Sequence, residues 1–221
     1  MKQSIYIIAT ILFFSCSSDD SKISEGLEIN YQTEKGMPAG NEIFHNGNTI
    51  IIEEVKDERD IANRSFSIQK IEQTDGDIRM TAKKIPTELY LRNQGITGED
   101  LGLALDDLND VQLFYFEFEE TKKQDLVEKY FTEDLDGRIS YMSFGIFEDF
   151  KLVSASGDTI PADYSIYERN YHIAPFERLI VSFSSVIPED EMKLIYKDQV
   201  FGRGIKEFSF ASENYLTENT L

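Results

Sequence analysis

Residues 111–120 read Val-Gln-Leu-Phe-Tyr-Phe-Glu-Phe-Glu-Glu, and this stretch restricts the fold more than any other. In an extended strand, alternate side chains point to opposite faces. Phe114, Phe116 and Phe118 then share one face, while Val111, Leu113 and Tyr115 share the other. A strand with apolar rows on both sides belongs inside a sheet that is covered on both faces. The spacing predicts a central, doubly covered strand. The other reading of so many rings in one row is an aromatic ligand platform.

Turn signals divide the sequence around this strand. Asn46-Gly47-Asn48 separates Glu42-Ile43-Phe44 from Thr49-Ile50-Ile51-Ile52, the pattern of a β-hairpin. Phe66 and Ile68, then Asp75-Gly76, then Ile78, Met80 and Ala82 predict a second pair, and residues 57–64 read as a loop or a single helical turn. Two short helices are expected. One covers 98–108, with Thr97 as N-cap and Leu101, Ala104, Leu105 and Leu108 on one face. The other covers 122–131, with Thr121 and Gln124 as a capping box and Leu126, Val127, Tyr130 and Phe131 as its buried stripe.

After Gly137 the pattern changes to short strands at regular spacing, near 138–146, 149–154, 159–167, 178–185, 192–197 and 205–210. Ser156-Gly157-Asp158 forms a turn, and Pro175 and Pro188 fall in connections. Such spacing is the signature of a sandwich. The run from Asp149-Phe150 through Gly157-Asp158, Pro175, Leu179/Val181/Phe183 and Met192/Leu194/Tyr196 resembles the immunoglobulin-like, telokin-like modules of many bacterial lipoproteins. The resemblance is one of strand pattern and implies no catalytic residue. The expectation is a mainly β fold: a β-rich region with two short helices over 41–135, and an immunoglobulin-like β-sandwich over 136–210.

The N-terminus carries a different signal. Lys2, an apolar run from Ile5 to Phe14 and the small residue Ser15 precede Cys16, the single cysteine. A helix over residues 5–14 would cover about 15 Å, half the roughly 30 Å of a bilayer core, so a signal peptide explains it better than a membrane span. With Cys16 first in the mature chain, the segment resembles a bacterial lipoprotein signal, which implies cleavage after Ser15, a diacylated thiol and an acylated amino group. Phe13 and Phe14 make a relaxed box of the kind that resembles Bacteroidetes lipoproteins, and Asp19-Asp20 resembles their signal for export to the outer face of the outer membrane. Residues 16–40 then read as a flexible polar tether and 211–221 as a polar tail. The implied location is the outer membrane, with lipid as the membrane partner. A lipidated Cys16 leaves no thiol for a disulfide, a catalytic nucleophile or a metal site.

The formal net charge is −19. Such acidity argues against nucleic acid as a partner. Motif searches give little chemistry. Thr132-Glu-Asp-Leu-Asp-Gly137 has the outline of a calcium loop, but positions one and twelve fall on Thr132 and Ser143, which supply no carboxylate. A helix-to-strand turn with Gly137 at positive φ explains it better. The acids Glu53, Glu54, Asp57, Glu58 and Asp60, and Asp106, Asp107 and Asp110, could in principle pair for glycoside hydrolysis. His45 and His172, the two histidines, lack zinc spacing, and no Gly-x-Ser-x-Gly elbow occurs. Gly202-Arg203-Gly204 reads as a strand turn rather than a phosphate loop.

No catalytic residue, metal ligand or cofactor is expected. One interaction patch is: Tyr164, Tyr167, Arg169 and Tyr171, around Glu168, since Tyr and Arg are enriched at interfaces. The sequence thus points to a lipid-anchored binding module for an envelope protein or ligand. The alternatives are a small-ligand carrier of barrel type and a carboxylate-dependent hydrolase.

Overall fold

In the computed structural model β5 (Gln112–Glu120) runs between β4 (Ile78–Ile85) and β9 (Phe176–Phe183), antiparallel to both. The structure describes residues 42–56, 65–131, 133–170, 173–184 and 192–211, all within the unit Gly40–Leu221. The other strands are β1 (Glu42–His45), β2 (Asn48–Lys56), β3 (Ser65–Asp75), β6 (Phe150–Ser154), β7 (Thr159–Pro161), β8 (Tyr164–Glu168), β10 (Met192–Asp198) and β11 (Gly204–Phe210). They form two sheets, one ordered β1-β2-β3-β4-β5-β9-β8 and one ordered β11-β10-β6-β7. The fold is mainly β, with two antiparallel sheets packed as a sandwich.

The core lies between the sheets. Phe114, Phe116 and Phe118 of β5 face inward with Phe150, Tyr196, Phe208 and Phe210 of the smaller sheet, all at most 1 % exposed. Phe116 sits at the centre, its ring 4.9 Å from Phe150, 5.0 Å from Tyr196 and 5.4 Å from Phe208. Each such ring stabilises by about 1.5–3 kcal/mol through burial. The row of rings is therefore core, not a platform. The two sheets do not close into a barrel, and side chains fill the space between them.

Both faces of β5 are covered, as its sequence requires. On the outer face Ile85, Leu113 and Ile180 are buried, and α1 (Thr87–Asn93) and α2 (Gly98–Asp107) bring Leu89, Tyr90, Leu91, Leu101 and Ala104 into burial as well. Residues from 41–135 and from 136–210 pair directly, β5 with β9, so both regions build the larger sheet. The chain passes between sheets at Ala162 and Asp163: Ala162 N–H donates to Phe150 O and Asp163 N–H to Ser182 O. The single strand expected over 159–167 is thus divided into β7 and β8.

Among the described residues four α-helices form rather than two. α2 matches the expected 98–108 helix, with Thr97 as N-cap residue but no bond from its side chain. The expected 122–131 helix shortens to α3 (Leu126–Tyr130), capped by Asp125 instead of Thr121. The reason is Glu120, whose carboxylate takes the N–H groups of Lys122 and Gln124 and holds that segment as a turn, with Lys123 at φ 58°. The strand expected over 138–146 is helix α4 (Leu135–Phe144). Asp134 caps it by accepting from Gly137 N–H, and a Cβ on Gly137 would overlap that carboxylate. Gly137 therefore serves a cap and does not take positive φ, which corrects both the strand and the turn readings.

Candidate functional site

The register of the larger sheet places a row of charges across its outer face. Register and the two-residue alternation of each strand put Glu53 (β2), Lys70 (β3), Lys83 (β4), Glu117 (β5), Arg178 (β9) and Glu168 (β8) on one side. Lys70 Nζ lies 2.9 Å from Glu53 and 3.1 Å from Glu72. Lys83 spans Glu53 at 3.8 Å and Glu117 at 3.6 Å. Arg178 reaches Glu117 at 2.7 Å and Glu168 at 3.5 Å. Burial pushes the Lys70 ammonium down, but its hydrogen bonds and charge contacts with Glu53 and Glu72 outweigh that and hold it above the usual lysine range.

Arg178 anchors the β8 end of the row. Its guanidinium lies 4.9 Å from the ring centroids of both Tyr115 and Phe176, and its side chain is 12 % exposed. Cation–π contacts and two carboxylates fix it in place. Tyr90 of α1 faces the same corner. Burial first, then the charges of Glu168 and Tyr164, push its hydroxyl up to about 12. Burial and Glu168 also raise Tyr115. Glu168 itself is raised by burial, which Arg178 offsets only in part.

The expected patch divides across this geometry. Tyr164, Ile166 and Glu168 pair with Ser182, Ile180 and Arg178 on the outer face. Tyr164 is 37 % exposed there, and Arg169 is exposed just beyond the strand. Tyr167 points the opposite way, packs on the core and donates its hydroxyl proton to Glu177. Tyr167 and Tyr164 therefore cannot share a surface, because neighbouring parities of a strand face opposite sides. Tyr171, His172, Thr132 and Cys16 lie outside the described residues. Arg178, Tyr115, Phe176 and Tyr90 complete the corner and were not legible as site residues. The signal that could have found Arg178 is a charged pair, Glu177-Arg178, opening the otherwise apolar strand Leu179–Phe183.

The other candidate residues have structural surroundings. Glu53 is bonded to lysine, Glu54 is exposed, and Asp57, Glu58 and Asp60 lie outside the described residues. Asp106 and Asp107 end α2, and Asp110 follows it, all exposed. His45 is buried, with Nε2 3.0 Å from Asn46 Nδ2. Arg203, between Gly202 (φ 70°) and Gly204 (φ 78°), bonds Asp77 at 2.8 Å. Among the described residues, no group of three or more His, Cys, Asp or Glu side chains is placed to hold a metal ion. No helix among them is long and apolar enough to cross a membrane.

No protein-family model, curated protein or solved structure matches the chain. The functional reading therefore rests on the site's own chemistry.

Proposed function

We propose that this chain is a cell-envelope lipoprotein, anchored by acyl groups on Cys16, that acts as a binding module. Its recognition surface is the outer corner of the larger sheet formed by Tyr164, Glu168, Phe176 and Arg178. The observation that carries the reading is Arg178, clamped between two aromatic rings and two carboxylates beside an exposed tyrosine. A side chain already ordered this way loses little conformational freedom when a partner docks, and Arg and Tyr anchors dominate interface energetics. The acidic tether residues and the relaxed lipobox support an outer-membrane location.

The test is recovery of an envelope partner by the lipidated protein and by a Tyr164→Ala variant. Losing such an anchor costs on the order of 2 kcal/mol, about thirtyfold in affinity. Equal recovery by both proteins contradicts the assigned surface.

A further inference from the structure

The row of charges stops one position short. Glu117 has a cation on either side, Lys83 at 3.6 Å and Arg178 at 2.7 Å. Glu168 has Arg178 on one side at 3.5 Å, and among the described residues β8 is the last strand of its sheet. Arg178 cannot move toward Glu168 to compensate. Its Nε lies 2.8 Å from Glu117, and Tyr115 and Phe176 hold its plane. Strands lie about 4.8 Å apart, so the next position beyond β8 is within side-chain reach of the Glu168 carboxylate. Tyr164 and Ile166 precede Glu168 on the same face, and the three span about 13 Å of strand.

We propose that the outer row of β8 is a docking strip for an extended, basic segment of a partner protein. Glu168 receives a lysine or arginine side chain, and Tyr164 and Ile166 cover the apolar atoms beside it. The proposal rests on the binding reading above and adds the chemistry of the partner. Three observations converge. The alternation of charge across four strands, Lys83 (β4), Glu117 (β5), Arg178 (β9) and Glu168 (β8), places a cation next in sequence. The Glu168 side chain is 38 % exposed and so open to an incoming group, although burial already disfavours its charge. The chain carries a net charge of −19, which steers basic partners toward it. A cation docked at Glu168 adds a second partner to its 3.5 Å contact with Arg178.

The test uses the full chain in detergent micelles and two capped octapeptides, one alternating lysine with threonine and one alternating glutamate with threonine. At low salt the lysine peptide binds and the glutamate peptide does not. Glu168→Gln, which keeps the side chain's shape, weakens the lysine peptide about fivefold, the scale of one partly exposed ion pair. Glu207→Gln, an exposed carboxylate change on the other sheet, leaves binding unaltered. Failure of the lysine peptide to bind wild type, or equal effects of the two glutamine variants, overturns the proposal. If Tyr164→Ala abolishes envelope capture while Glu168→Gln leaves peptide binding intact, the partner chemistry is wrong and the binding surface stands. If neither variant changes anything, both readings fall.

Discussion

Gln69 and Ala211 exchange two hydrogen bonds although 142 residues separate them. Gln69 Nε2 donates to Ala211 O and Ala211 N–H donates to Gln69 Oε1, each at 3.0 Å. The glutamine amide thus acts as a peptide group from a neighbouring strand, and it satisfies the backbone where β11 ends beside β3. Gln73 repeats the device by donating to Glu207 O. An edge strand with open backbone groups invites association, and side-chain amides cover this one.

Gln69→Leu should therefore destabilise the fold by about 1–3 kcal/mol, because both backbone groups of Ala211 lose partners in a buried site. Chemical unfolding measures it. A change under half a kilocalorie would mean that water reaches the seam, contrary to the burial seen.

Phe116→Ala should cost about 3–5 kcal/mol, the range for deleting a fully buried ring that many side chains contact. The comparison is Tyr164→Ala, which removes an exposed ring and should leave the unfolding midpoint nearly unchanged. Similar losses in the two variants would contradict the assignment of one ring to the core and the other to a surface.

The pH dependence of stability should separate two kinds of carboxylate. Glu168 is raised above its ordinary value of 4.5, so folding favours its protonated form. Its contribution is fully present below pH 4.5 and is lost as pH rises through the raised value. Glu168→Gln should then match wild type in acid and be no less stable, or more stable, at pH 7. Asp77 behaves oppositely. The Tyr130 hydroxyl first, then its own backbone N–H and Lys129, hold it below 3.8 against the cost of burial. That stability is present above pH 3.8 and lost as pH falls further. Asp77→Asn should lower the midpoint at pH 7, and the difference should vanish in strong acid. Thermal melts across pH 2–8 give both curves.

Cys16→Ala should release the protein from membranes and abolish acyl labelling. Two or more acyl chains bind a membrane far more durably than one, so a partial effect is not expected. Unchanged membrane retention would remove the lipoprotein assignment.

How much of this was legible in the sequence depended on whether neighbours in the chain or distant pairs decide the outcome. Phe114, Phe116 and Phe118 gave their facing directly, because strand alternation is local. Asn46-Gly47 and Asp75-Gly76 fixed their hairpins for the same reason. The 138–146 segment misled because Ile139, Tyr141 and Ser143 alternate like a strand, while the deciding features are the Asp134 cap and the burial of Met142 and Ile146 in the core. Tyr167 misled because a sequence shows that it alternates with Ile166 but not which face is buried. The corner at Arg178 needed the register of β5, β9 and β8 together, which no single segment specifies.

The central claim is that the outer face at β8 meets a partner in the envelope. The most direct measurement places a photo-crosslinking phenylalanine at position 164 and, separately, at position 193, an exposed site on the other sheet. A discrete protein adduct is expected from position 164 in intact cells, reduced several-fold in yield by Glu168→Gln, and none from position 193. Adducts of equal yield at both positions, or none at position 164, would contradict it.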